Sequence, residues 1–165
     1  MTEPMSLRSI GYIETPWHSL RACPRNGRQP DPPPECLVHV RPEFHDGLLR
    51  LEGFSHLILL YWLGPAPDPE MRFTPPFASD PAGLFATRGP KRPNPIGLSV
   101  VAFDGFAAPG VLRVRYLDCL DGTALLDIKP YLRSTDCEPE ATMGWLAPHA
   151  TPRPGKGLDR PGGGE

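Results

Sequence analysis

The sequence lacks long hydrophobic runs, and no stretch of its 165 residues approaches the roughly 18 apolar residues that a membrane-spanning helix requires. We therefore do not expect an integral membrane protein. The first residues, MTEPMSLRSIGYIE, contain no basic segment followed by an apolar core, so they do not predict a signal peptide. Together these absences predict a cytoplasmic protein.

Excess charge and metal-ligand patterns are also missing. The formal net charge is −2, so the chain as a whole does not attract nucleic acid, and an RNA site would need a local basic cluster. The four cysteines form no Cys-x-x-Cys pair and no Cys/His spacing suited to zinc, so we expect free thiols and no metal. The sequence also contains neither a Walker loop nor a Rossmann glycine motif.

Proline and glycine are abundant, with 24 and 17 residues. Each proline removes an N–H donor and clashes with the preceding helical turn, which argues against a helical bundle. The prolines concentrate in two connections, at residues 24–34 and 65–95, which we interpret as long functional loops. Apolar residues almost disappear near the C-terminus, so we expect a folded domain at 1–146 and a disordered Pro/Gly-rich tail at 147–165.

Short apolar segments between these loops predict β-strands. The segment HLILLYWL, residues 56–63, fits either a strand buried on both faces or a buried helix. VLRVRYLDC alternates apolar and charged residues, as a strand does, and the following Asp121-Gly122 dipeptide favours a hairpin turn. Further strands are predicted at residues 7–13, 37–40, 48–51, 98–103 and 124–128. The pattern predicts an all-β fold, a small, mostly antiparallel β-barrel with long Pro-rich loops.

The segment GLFATRGPKRPNPIGLSVV carries the densest group of basic residues. Arg88, Lys91 and Arg92 fall within five residues, and Asn94 follows them. Three prolines restrict the backbone, so these side chains lose little entropy when they bind a ligand. A guanidinium can pair with phosphate or carboxylate oxygens and stack on a base, which favours an anion or nucleotide site. A solvated surface turn has the same composition, and the residues alone leave both interpretations open.

A second polar group lies in LDCLDGTALLDIKPYL. Asp127 and Lys129 are two residues apart, so on a strand they share a face, either as a structural ion pair or as the wall of a polar pocket. His56 follows Ser55, but adjacency in sequence does not bring a nucleophile and a base together in space. We therefore expect His56 to be a structural, hydrogen-bonded residue.

Three blocks, FATRGPKRPNPIGLSVV, LDGTALLDIKPYL and LEGFSHLILLYW, resemble those of the TsaA-like (TrmO, formerly YaeB) family. With the start LRSIGYIETPW and the loop ACPRNGRQP, the resemblance covers residues 7–132. It implies a homodimer of small β-barrels with S-adenosyl-L-methionine near the subunit interface. The implied reaction is methylation of N6 of threonylcarbamoyladenosine at position 37 of tRNA. This chain departs from the family block at Gly89, where the family has serine.

By position in these blocks, the resemblance implies three sets of site residues. The cofactor-binding set is Asn26, Gly27, Arg88, Leu98, Asp118, Cys119, Leu120, Asp121, Gly122 and Thr123; the substrate-binding set is Arg92 and Asn94; the third set is the pocket residues Lys129 and Tyr131, which we expect to form the catalytic set together with Asp127. The acceptor nitrogen must lose its proton, so we expect Asp127 as the base and Lys129 as the group that stabilises the developing anion. Two alternatives remain open. One is a cofactor- or RNA-binding module without turnover, and the other is a methyltransferase for another small acceptor.

Overall fold

A computed structural model describes residues 6–65 and 68–150. Its strands are β1 (Gly11–Glu14), β2 (Cys36–Val40), β3 (His56–Trp62), β4 (Arg72–Phe73), β5 (Ala82–Gly83), β6 (Ile96–Ala108), β7 (Val111–Arg115) and β8 (Thr123–Pro130). One short α-helix, α1 (Arg133–Asp136), follows the last strand. Four 3₁₀ helices span Pro42–Leu48, Leu51–Gly53, Leu84–Ala86 and Gly144–His149. No helix within the described ranges is long and apolar enough to cross a membrane.

Six strands close into a barrel in the order β1-β2-β7-β6-β3-β8, and β8 returns to pair with β1. Every neighbouring pair is antiparallel. Strands β4 and β5 form a separate two-stranded sheet inside the second proline-rich connection. The prediction of a small, mostly antiparallel β-barrel is confirmed.

The barrel interior is filled by alternate residues of each strand. Leu112 and Val114 of β7 are fully buried, while the arginines between and after them point outward, as the alternation of this segment predicts. The segment at 56–63 is a strand, and the prediction that both of its faces are buried is wrong. Leu57 and Leu59 lie in the core, whereas the residues between them are partly exposed.

Three further details differ from the sequence prediction. The strand predicted at residues 48–51 is absent, because two 3₁₀ helices and the positive φ of Arg50 (70°) interrupt extended backbone there. The strand predicted at 7–13 starts only at Gly11. Gly122 does adopt the positive φ expected of its turn (78°), but no hairpin forms, since β8 pairs with β1 and β3 instead of β7.

The last described segment packs back onto the barrel's long loop. The indole N–H of Trp145 donates to the carbonyl of Ala86 at 3.1 Å, and its ring stacks on Phe77. The 3₁₀ helix Gly144–His149 therefore runs across the domain boundary expected at residue 146. Of the tail expected at 147–165, residues 151–165 lie outside the described residues.

Candidate functional site

A pocket of about 510 Å³ opens at one end of the barrel. The end of β3, the start of β6, the chain after β7 and the start of β8 meet there, because antiparallel neighbours bring alternate strand ends together. Two loops complete the rim, the early loop at residues 20–26 and the basic loop at 87–92. The fold thus joins four separate segments of the sequence in one cavity, which we call the rim pocket.

Asp118 supplies a carboxylate to the rim pocket, and other groups hold it in place. The hydroxyl of Tyr61 donates to Asp118 Oδ1 at 3.1 Å and lies 2.8 Å from the hydroxyl of Ser99. Burial raises the pKa of Asp118, and the hydrogen bond from Tyr61, the positive charge of Arg88 and the backbone amide of Gly27 act in the opposite direction. The pocket therefore presents an oriented carboxyl group and a cation together.

Two glycines make this arrangement possible. A Cβ at Gly97 would lie 2.1 Å from the ring of Tyr61, which crosses the glycine in the barrel interior. A Cβ at Gly27 would lie 2.1 Å from the carbonyl oxygen of Tyr116, so the early loop packs backbone against backbone on the chain after β7. Neither close approach is open to a residue with a side chain.

The segment from Asp118 to Thr123 is fixed by the chain that follows β1. The hydroxyl of Thr15 donates to the carbonyl of Cys119 at 2.9 Å, and the backbone N–H of Thr15 donates to Asp121 Oδ1 at 3.0 Å. The Asp121 side chain therefore faces the chain that follows β1, and neither Asp121 nor Gly122 lines the rim pocket. Thr123 does line it, with its hydroxyl donating to the carbonyl of Leu120 at 2.6 Å.

The basic loop uses its cations in different ways. Arg92 Nη1 donates to the carbonyls of Leu84, Thr87 and Gly89 at 3.0–3.3 Å, so this guanidinium holds the loop together as well as lining the pocket. Lys91 pairs with Glu70 at 3.0 Å. Arg88 is exposed at the rim, and among the described residues it makes no hydrogen bond. Asn94 does not line the pocket, and its carbonyl accepts from the amide of Ile96 at 2.8 Å.

The structure gathers most of the expected cofactor residues at the rim pocket. Those lining it are Asn26, Arg88, Leu98, Asp118, Cys119, Leu120 and Thr123. Gly27 lies beside it, between Asn26 of the rim pocket and Tyr116. Exposed apolar side chains form the other wall, and Leu98 is 48% and Ile96 38% exposed. The cavity therefore combines a charged end with an apolar wall.

The expected catalytic residues lie elsewhere. Lys129 Nζ is 2.6 Å from Asp127 Oδ2, and the two form the ion pair that their spacing predicts. Asp127 lies opposite Leu60, which lies opposite Leu98, so the pair and Leu98 share the outer face of the barrel. Leu98 on β6 and Asp127 on β8 are two strand spacings apart, which is about 10 Å. Tyr131 lies beyond the end of β8, where its ring is 6.2 Å from that of His56.

Within residues 6–65 and 68–150, no cluster of three or more His, Cys, Asp or Glu residues could hold a metal ion. The four cysteines are free, as expected. Burial raises the pKa of Cys119 to about 12, so its thiol remains protonated at neutral pH. His56 forms a hydrogen bond with Ser55 at 2.9 Å, and its structural role stays a prediction.

Sequence reasoning missed two polar residues at the rim pocket, Tyr61, which lines it, and Ser99, which pairs with Tyr61. Both are buried and both belong to the hydrogen-bond network of Asp118. The available signal was the tyrosine inside the apolar segment HLILLYWL, since a buried tyrosine hydroxyl normally has a hydrogen-bond partner. The identity of that partner required the fold.

Comparison with known proteins gives one family match. The family described as "tRNA-methyltransferase O N-terminal domain" matches residues 12–137. A "Probable S-adenosyl-L-methionine-binding protein" from Archaeoglobus fulgidus is 42% identical over 145 residues, and the match covers 86% of this chain and 38% of that protein. The "tRNA (adenine(37)-N6)-methyltransferase" of Escherichia coli K12 is 33% identical over 151 residues, covering 82% of this chain and 61% of that enzyme.

A solved structure gives the same result at the level of the fold. The "Crystal structure of TrmO" superposes with a TM-score of 0.72 at 35% sequence identity, covering 88% of this chain and 63% of that chain. Each of the three proteins named above is matched over less than two thirds of its own length. The family match to residues 12–137 of this chain includes the rim pocket and all of the barrel except Gly11.

Proposed function

The chain belongs to the family of the tRNA-methyltransferase O N-terminal domain, and we propose that it is an S-adenosyl-L-methionine-dependent tRNA methyltransferase. The proposed reaction is methylation of N6 of the threonylcarbamoyladenosine at position 37. The E. coli relative is named for N6 methylation of adenine 37, which supports the position and the atom. A tRNA substrate would place the enzyme in the cytoplasm.

The rim pocket fits S-adenosyl-L-methionine in charge and polarity. This cofactor has a carboxylate, an ammonium and a sulfonium at one end and an adenosine at the other. The guanidinium of Arg88 matches the cofactor carboxylate, and the carboxylate of Asp118 matches its cationic groups. Leu98 and Ile96 offer an apolar wall for the adenine. A volume of about 510 Å³ lies within the usual range for such ligands.

One observation carries this assignment: the fold brings Asp118 and Arg88 to the same cavity as the exposed Leu98. The three residues come from the β7–β8 connection, the basic loop and β6. No local sequence pattern requires them to meet. Their convergence in a family named for tRNA methylation supports the rim pocket as the cofactor site.

The bound cofactor would supply an electrophilic methyl group, and the protein would supply alignment and proton removal. The acceptor nitrogen lies between an adenine ring and a carbamoyl group, so its lone pair is withdrawn and its proton must leave. Asp127 is our proposed base, with Lys129 at 2.6 Å to stabilise the negative charge that develops. Both lie on β8, on the outer face of the barrel and about 10 Å from Leu98.

We also propose that the enzyme works as a homodimer through this outer face. On β3 and β6 this face carries six partly exposed apolar side chains, namely Ile58, Leu60, Trp62, Ile96, Leu98 and Val100. A contiguous apolar patch on a small domain marks an interaction surface. A twofold contact would cover this patch. It would also put the rim pockets of the two subunits beside the interface, because Leu98 and Ile96 belong to the patch and to the rim pocket.

The decisive experiment is a labelled methyl-transfer assay on tRNA with and without the threonylcarbamoyl group. We expect transfer to the modified tRNA, reduced by Arg88→Ala and unchanged by Arg41→Ala, an exposed arginine outside the rim pocket. Transfer to unmodified tRNA, or only to another acceptor, would contradict the proposed substrate. Reduced transfer in both variants would contradict the proposed site.

A cofactor-binding module without turnover is the second candidate. The Archaeoglobus relative is named only as a probable binding protein, which favours this possibility. The two candidates differ in one measurement. Calorimetry that shows cofactor binding, combined with no methyl transfer to any tRNA, would select the binding module.

A further inference from the structure

A second cavity, of about 810 Å³, lies next to the rim pocket and shares no lining residue with it. We call it the side pocket. Its walls come from the proline-rich early loop, the start of β3, the middle of β6, and the chain on both sides of α1. Its aromatic and basic lining residues are Arg28, His56, Tyr116, Tyr131 and Arg133.

The two pockets adjoin each other. Three segments line both pockets with residues that are two positions apart. Asn26, Leu98 and Asp118 line the rim pocket, and Arg28, Val100 and Tyr116 line the side pocket. Along β6 that step is about 6.6 Å. The partition is the backbone contact between Gly27 and Tyr116, and Arg28 reinforces it by donating to the carbonyl of Val100 at 3.3 Å.

The lining of the side pocket has the composition of a nucleotide site. The guanidinium of Arg28 lies 3.7 Å above the ring of Tyr116, and the rings of His56 and Tyr131 are 6.2 Å apart. Aromatic rings and arginine planes bind unpaired bases by stacking, and cations bind the backbone phosphates.

Two carboxylates also line the side pocket, Asp31 and Asp136. Asp136 Oδ2 accepts a hydrogen bond from the amide of Leu132 at 2.7 Å, so this carboxylate is engaged with its own turn. Arg133, on the same helix, is exposed and lies in the pocket wall. The pocket therefore offers the cation of Arg133 beside the aromatic rings, and Asp31 is a further carboxylate in its wall.

We propose that the side pocket binds an unpaired RNA base that flanks the methylated nucleotide. This inference rests on the proposed function of the rim pocket, since it assumes an RNA substrate. Because the backbone contact of Gly27 with Tyr116 lies between the two pockets, we assign the side pocket to a neighbour of the reacting nucleotide. Tyr131 then holds substrate RNA, which is a different role from the chemistry expected of it from the sequence.

The test measures binding of a hairpin RNA with the anticodon-loop sequence, by fluorescence anisotropy, to the full chain. Tyr131→Leu is expected to weaken binding about 5-fold to 150-fold, the range for loss of one stacked base. Arg133→Ala is expected to lower the salt slope of binding by about one. Tyr12→Leu and Arg41→Ala are the matched controls, because both residues are exposed and line neither pocket.

The same RNA with 2-aminopurine beside the target adenosine locates the base. We expect its fluorescence to be quenched by the wild-type protein and restored by Tyr131→Leu, while calorimetric affinity for S-adenosyl-L-methionine stays within twofold. Equal quenching by wild type and Tyr131→Leu would overturn the inference, and so would an equal loss of affinity for a fully paired RNA. Cofactor binding without any RNA binding by the wild type would overturn the proposed tRNA activity as well.

Discussion

The hydroxyl of Tyr61 is the group whose removal has the most predictable consequence. It bonds two partners in the wall of the rim pocket, Ser99 at 2.8 Å and the carboxylate of Asp118 at 3.1 Å. Tyr61→Phe keeps the ring and removes both bonds. A neutral hydrogen bond contributes about 0.5 to 1.5 kcal/mol and one to a charged group about 1.5 to 3 kcal/mol. The free energy of unfolding should therefore fall by about 2 to 4 kcal/mol.

Urea denaturation at neutral pH measures this change directly. The matched control is Tyr12→Phe, because Tyr12 is exposed and its hydroxyl forms no hydrogen bond with a described residue. We expect the control to change the unfolding free energy by less than about 0.5 kcal/mol, as for ordinary surface substitutions. A loss of the same small size in Tyr61→Phe would refute the role of the buried hydroxyl.

The loss of stability in Tyr61→Phe should also depend on pH, and the direction of this dependence can be derived. Burial raises the pKa of Asp118 above its unfolded value, so this carboxyl contributes stability at low pH that is lost as the pH rises through its folded pKa. The hydrogen bond from Tyr61 lowers that pKa, and Tyr61→Phe should raise it further. The stability difference between wild type and Tyr61→Phe should therefore shrink as the pH falls and Asp118 becomes neutral. A difference that grows on acidification would contradict this account.

Three other predictions use the same structure. Arg88→Ala should weaken S-adenosyl-L-methionine binding about 10-fold by calorimetry, which is the low end of the range for charged hydrogen bonds because Arg88 is exposed. Arg88→Lys should restore only part of the lost affinity. An affinity of Arg88→Ala within twofold of wild type would reject the cofactor contact. Gly97→Ala should destabilise the protein by about 1 to 3 kcal/mol in urea denaturation, since its Cβ would lie 2.1 Å from the ring of Tyr61; an unchanged midpoint would show that the ring can move away. Leu98→Glu should convert the proposed dimer to monomer in sedimentation at micromolar concentration. Leu49→Glu should leave the dimer intact, because Leu49 is 82% exposed on another surface. A monomeric wild type would contradict the proposed dimer.

The sequence by itself predicted the barrel because its signals are local. Alternation in VLRVRYLDC places Leu112 and Val114 inside, and the prolines of two long connections exclude extended helices. The ion pair of Asp127 and Lys129 is equally local, since residues two apart on a strand share a face. The family blocks pointed to Asp118, Arg88 and Leu98, and their roles in cofactor binding remain predictions.

Other features depended on which strands become neighbours. The Asp121-Gly122 turn has the local geometry of a hairpin, yet β8 pairs with β1 and β3, because barrel closure outweighs the proximity of β7 in sequence. The partners of Tyr61 lie 38 and 57 residues away, and only the registered pairing of β3 with β6 brings Ser99 within reach.

The separation of the rim pocket from the side pocket is likewise tertiary. It depends on the contact between Gly27 and the carbonyl of Tyr116, two segments with no common pattern in the sequence. Short-range periodicity determines the face on which a side chain lies, whereas the closure of the barrel determines which faces meet. The composition of each strand was therefore readable from the sequence, and the composition of each cavity was decided by the fold.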